Sequence, residues 1–174
     1  MEKTAVQKLA GALKVLVTIT LVCNLVALLL VPGMSLMKGP EELLALTPYE
    51  NPLEVPLRVG IAFVLSWGWV WTAGVYEVVL ALFLLFCGIC TAVILWQGRR
   101  VLGTILTGAP FRAENGVSLR RAAVCCFLIA AAALARVVWG LFYYGSVAPL
   151  LTYNALFVPI FILGGLLCLV MSAL

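Results

Sequence analysis

The few charges in this chain are sorted rather than scattered, and that sorting constrains the fold more than any motif. From Lys14 to Lys38, from Arg58 to Arg99 apart from Glu77, and from Arg121 to the end apart from Arg136, no Asp, Glu, Lys or Arg occurs. Crossing a hydrocarbon core of about 30 Å takes roughly 20 mostly apolar helical residues, so these gaps predict four spans. With 65% hydrophobic and 10% charged residues, the composition excludes a water-soluble fold. The expected class is an all-α integral membrane protein: a four-transmembrane-helix bundle forming one domain, with an outer interfacial segment and a cytoplasmic amphipathic loop. Its 174 residues leave no room for a further soluble catalytic domain.

The spans are expected at about 11–31, 76–96, 120–143 and 149–174, with an outer loop over 32–75 and a basic cytoplasmic loop over 97–119. The first follows Lys3, Lys8 and Lys14, is too long for a cleaved signal peptide and is expected to be retained; Pro32 and Gly33 mark its end. Pro40, Pro48, Pro52 and Pro56 with Glu41, Glu42, Glu50 and Glu54 make the following segment a polar, proline-broken loop. Residues 59–98 are too many for one straight span and barely enough for two. Two would put Arg99, Arg100, Arg112, Arg120 and Arg121 on the opposite side from the N-terminal lysines, against the positive-inside rule. One span is therefore placed there, and residues 59–74, with Trp67, Trp69 and Trp71, are read as interfacial or re-entrant. Four spans put both termini in the cytoplasm.

The polar chemistry is sparse. The chain has no His and no Asp, which removes the usual bases and ligands of hydrolytic triads, metal centres and proton relays, so no enzyme, metal or cofactor is expected. Cys23, Cys87, Cys90, Cys125, Cys126 and Cys168 all fall within expected spans and read as small apolar packing residues, including the Cys87 and Cys90 pair. Asn24 is the strongly polar residue inside the first span. Glu77 and Arg136 are ionisable groups at membrane depth on the same side, a candidate intramembrane pair; a snorkelling Arg136 and an anion or headgroup site are the alternatives. Pro159 is read as a kink. Ala132, Arg136 and Gly140 on one face of the third span, with Gly164 and Gly165 in the fourth, permit close helix packing. They serve an intramolecular bundle and a homo-oligomer equally well.

The basic loop has the most specific residue choices. Val101, Leu102, Ile105 and Leu106 form one apolar face of a short helix behind Arg99 and Arg100, either lying on the surface or continuing the second span. Gly108, Ala109 and Pro110 break it, and Phe111 can dip into the interface. Glu114 falls in the first turn of the next helix, at the positive dipole end, and Asn115 can cap there. Arg120 and Arg121 mark re-entry into the membrane, where anionic lipid attracts them. A solvated topology signal is the simplest reading of these arginines.

Gly108, Pro110, Phe111, Glu114, Asn115, Leu119, Arg120 and Arg121 form a G-x-P-F-x-x-E-N-x-x-x-L-R-R pattern between the second and third of four spans. It resembles a bacterial family of small four-span membrane proteins known as the domain of unknown function numbered twenty-nine seventy-five. Arg112, Ala113 and Gly116 depart from that family's usual Thr or Ser, Pro and apolar residue, so the helix-capping hydroxyl is missing, and the short polar tail found in relatives does not follow Leu174. The resemblance implies a non-enzymatic protein of the bacterial inner membrane. Pro110, Phe111, Glu114, Asn115, Arg120 and Arg121 would engage a cytoplasmic protein such as a small helix-turn-helix regulator, with no direct contact to nucleic acid. The alternative is a small transporter, channel or immunity protein whose bundle uses Glu77, Arg136, Asn24 and Pro159. The lipid bilayer is a partner under either reading.

Overall fold

The computed structural model describes residues 5–36, 54–108, 112–145 and 153–173. They form helices α1 (Ala5–Leu36), α2 (Glu54–Trp69) with a 3-10 turn behind it (Val70–Thr72), α3 (Val75–Leu106), α4 (Ala113–Tyr144) and α5 (Tyr153–Ala173). No strand occurs among the described residues. Helices α1, α3, α4 and α5 are each long and apolar enough to cross a bilayer, and the chain is a multi-pass membrane protein. In hydrocarbon the backbone must satisfy its own hydrogen bonds, which a helix does within one segment.

Three helices exceed what crossing requires. α1, α3 and α4 have 32 residues each, about 48 Å at 1.5 Å per residue, against a hydrocarbon core of about 30 Å. The charges show where the surplus lies. Residues 15–36 of α1, 78–98 of α3 and, apart from Arg136, 122–143 of α4 are uncharged, each about 32 Å of helix. The remaining turns, residues 5–14, 99–106 and 113–121, carry Lys8, Lys14, Arg99, Arg100, Glu114, Arg120 and Arg121, and all lie toward the same end. Of the two arrangements open to residues 101–106, the structure has the continuous one: α3 runs without interruption to Leu106. It stops where Gly108 takes φ 76°, its N–H bonding the Ile105 carbonyl at 3.1 Å. A left-handed residue of this kind is inexpensive only for glycine.

The first helix also runs further than its proline predicts, through Pro32 to Leu36. Proline cannot donate to the carbonyl four residues back and crowds it. One turn of the ladder is loosened there, and the Trp67 indole N–H donates to the neighbouring Leu29 carbonyl at 3.1 Å. Pro32 itself is fully buried. Packing thus holds a residue that would end an isolated helix.

The chain divides into two compact units, one of residues 1–25 with 87–174 and one of residues 26–86. In the first, neighbouring helices run antiparallel. Asn24 on α1 donates to the Gly88 carbonyl on α3 at 3.0 Å, and nearer the charged end a Cβ on Gly11 would meet Leu106 at 3.7 Å. α4 and α5 pack through glycine: a Cβ on Gly165 would sit 3.0 Å from the Phe127 ring, and one on Gly116 would sit 3.1 Å from the Ser172 carbonyl oxygen. Helix α4 buries Asn115, Ser118, Ala122, Cys126, Ile129, Ala133, Val137 and Gly140, a three-and-four spacing that traces one face. In its apolar window 39% is buried, against 17% or less in the other three spans, so α4 is the most packed of the four and the others leave most of their apolar windows unburied.

The second unit holds the far part of α1, α2, the 3-10 turn and the start of α3. Its core is Val31, Val70 and Ala81, with Leu84 and Leu85 packed against them. Trp67, Trp69 and Trp71 are exposed. The residues read as an interfacial or re-entrant segment are thus helical from 59 to 69. Glu77 lies in the first turn of α3, and a Cβ on Gly74 would meet its carboxylate at 2.5 Å. The side chain folds back over the helix start, where a negative charge is favoured by the unpaired N–H groups.

Candidate functional site

The charged ends of α3 and α4 form a hairpin tied by side chains. Asn115 donates from Nδ2 to Thr104 Oγ1 at 2.7 Å. The Thr104 hydroxyl lies 2.7 Å from the Val101 carbonyl and 3.0 Å from Asn115 Oδ1. A hydroxyl has a single proton to give and accepts besides, so the arrangement satisfied by one proton is donation to Val101 with acceptance from Asn115. Asn115 is buried, which makes this an interior polar contact between the two helices. Outside it, Arg100 meets Glu114 at 3.5 Å with both side chains more than half exposed. A long, solvated pair of this kind contributes little to stability.

Asn115 was expected as a cap and occupies a different position. The N-cap of α4 is Arg112, in extended conformation and with no side-chain capping bond, so Asn115 is the third helical residue, and its backbone N–H bonds the Arg112 carbonyl at 2.9 Å. Its side chain meets Thr104 of α3. Gly116 follows with its Cα against Ser172 of α5. The residue that departs from the resembled pattern is therefore one whose lack of a side chain admits a neighbouring backbone.

Of the loop residues singled out in the sequence, Glu114 and Asn115 are brought together with Arg100 and Thr104. Arg120 and Arg121, further along α4, are both exposed, as is Arg112 at its start. Pro110 and Phe111 lie outside the described residues. Glu77 belongs to one unit and Arg136 to the other; Arg136 is partly buried on α4.

Sequence reasoning missed a second basic feature of this end. Lys14 of α1 reaches α3, where a Cβ on Gly103 would lie 3.5 Å from its Nζ. Arg99 stacks over the Trp96 ring, 5.8 Å from its centroid. With Arg100 these residues line a cleft of about 420 Å³. The signals were present: Lys14 and Arg99 each end a long uncharged run. Nothing in the sequence said that they face one another.

The cysteines sit within the helices as free thiols; Cys90 and Cys126 are buried, and Cys23 is exposed. Among the described residues no group of three or more His, Cys, Asp or Glu is placed to hold a metal ion. Geometry and composition define a multi-pass helical membrane protein with a structured basic end. Compared with known proteins, the chain matches no family model, no curated protein and no solved structure.

Proposed function

We propose that this chain is a non-enzymatic protein of the bacterial inner membrane, with both termini and the α3–α4 hairpin in the cytoplasm, that presents the hairpin to a cytoplasmic protein, of which a small helix-turn-helix regulator is the leading candidate. The observation that carries the reading is the Thr104–Asn115 contact. A connecting loop that served only to orient the chain would need positive charge. Here a buried amide also fixes the helix ends against each other, and holding the surrounding arginines in register suits recognition of a protein surface. The excess of Lys and Arg at this end supports its cytoplasmic placement. The exposed Trp67, Trp69 and Trp71 suit the headgroup level on the outer side. The resemblance in the loop pattern supports the choice of partner.

The test is affinity capture from native membranes with the full chain, comparing wild type with Arg120→Lys and Arg121→Lys. Lysine keeps topology and lipid attraction but loses planar, bidentate contact to a carboxylate. Capture of a discrete partner by wild type and its loss in the Lys variants is the expected result. Equal behaviour of all three would reduce the arginines to a topology signal and bring the transporter, channel or immunity reading forward.

A further inference from the structure

We infer that the cleft between α1 and α3 is a binding site for one anionic phospholipid, with the headgroup phosphate held by Lys14 and Arg99 and an acyl chain lying along α1. Three observations converge on it, none of which depends on the protein-partner reading. The first is charge. Lys14, Arg99 and Arg100 line one cleft of about 420 Å³. Arg100 is shared with Glu114 at 3.5 Å, whereas Arg99 lies over the Trp96 ring, and no ion pair of Lys14 with a carboxylate occurs among the described residues. Cations gathered without matching carboxylates favour an anion between them. The in-plane N–H donors at the edge of a guanidinium, whose face can stay on the indole, and an ammonium both suit phosphate oxygens.

The second observation is depth. Lys14 and Arg99 stand at the ends of uncharged runs of about 32 Å in their helices, and Trp96 lies beside them. Indole rings favour the headgroup level. The cleft is therefore at the height where a phospholipid carries its phosphate, and basic pockets between spans at that height are suited to anionic headgroups.

The third is the shape of what adjoins it. A groove of about 370 Å³ shares Lys14 and Arg99 with the cleft and continues over Gly11, Val15, Ile19 and Leu106. Val15 and Ile19 are exposed. A soluble anion would use the basic cleft and leave this groove empty, while a phospholipid uses both. Gly103 lines the same cleft: a Cβ there would be in ordinary contact with Lys14 Nζ at 3.5 Å, and a longer side chain would occupy space beside it.

The experiment uses the full chain in detergent, with phosphatidylglycerol and phosphatidylcholine offered in equal amounts and retained lipid read by native mass spectrometry. Wild type is expected to retain one phosphatidylglycerol in preference to phosphatidylcholine. The Lys14→Gln, Arg99→Gln double variant should lose that preference by about tenfold to thirtyfold, since each interfacial cation contributes roughly a factor of five. Arg120→Gln with Arg121→Gln removes the same charge elsewhere and should stay within about twofold of wild type. Lys14→Arg should retain binding, and Gly103→Leu, which keeps every charge but fills the cleft, should abolish it. Equal losses in the two double variants would mean diffuse attraction and would overturn the site, as would retained binding in Gly103→Leu with a folded, monodisperse protein. Displacement of the lipid by inorganic phosphate at equal concentration would show that the groove adds nothing, and the lipid assignment would fail.

Discussion

Thr104 and Asn115 meet across the α3–α4 hairpin at 2.7 Å, the amide of one helix donating to the hydroxyl of the other. They are eleven residues apart, on either side of the turn. Asn115 is buried, which makes the contact the natural place to perturb the charged end without changing its charge.

Replacing Thr104 with Val keeps the shape and removes the hydroxyl that accepts from the Asn115 amide, and should destabilise the folded protein by about 1 kcal/mol. Asn115→Leu alone should also destabilise. Because the two substitutions remove one interaction, the double variant should lose less than the sum. The measurement is unfolding in detergent followed by circular dichroism across the four proteins of the cycle. Strictly additive losses would mean that the contact is not made.

Asn24 ties the middle of α1 to α3 through the Gly88 carbonyl at 3.0 Å. Interhelical hydrogen bonds within membranes are worth about 0.6 kcal/mol on average. Asn24→Leu is therefore expected to lower stability modestly and leave insertion unchanged. A gain in stability would show that lipid-facing packing outweighs the bond.

The glycines between α4 and α5 should differ sharply in tolerance. Gly116→Ala sets a Cβ 3.1 Å from a backbone oxygen that cannot swing away, whereas Gly164→Ala meets only the Cys126 sulfur at 3.9 Å. The first is expected to cost about 1–3 kcal/mol. The second should be near neutral, since Ala is the better helix former. Gly165→Ala stands between, because the Phe127 ring at 3.0 Å can tilt. Thermal melts of the three variants in one detergent give the order directly.

Orientation is tested by single cysteines in a background lacking the native six. Glu114 is exposed at the start of α4 and reports the hairpin; Ser118, almost as near, is buried and would report packing instead. With an impermeant maleimide on intact cells, a cysteine at Glu50 should label and one at Glu114 should not. The reverse pattern would invert the topology.

These contrasts show what was legible in advance. The positions of Lys14, Arg99 and Arg121 at the ends of uncharged runs reveal depth along each helix, because a charge in hydrocarbon is expensive wherever the helix happens to face. The count of four needs the positive-inside rule as well, which decides between one span and two over residues 59–98. Direction around the helix axis is another matter, since lipid-facing and packed positions are both apolar and leave little periodic signal. The Lys14–Gly103 approach and the Thr104–Asn115 contact therefore appear only once the helices are side by side. Pro32 was misleading for a related reason: a helix break is a local rule, and burial of the ring overrides it.

The most direct measurement of the central claim is photo-crosslinking in living cells, with a photoreactive residue placed at Val117, exposed on the hairpin side of α4, or at Leu163, exposed on α5. The account predicts that Val117 gives a discrete adduct with a soluble cytoplasmic protein, that Arg120→Lys with Arg121→Lys removes it, and that Leu163 gives none. Absence of a protein adduct at Val117, or an equal one at Leu163, would contradict a docking role for the hairpin.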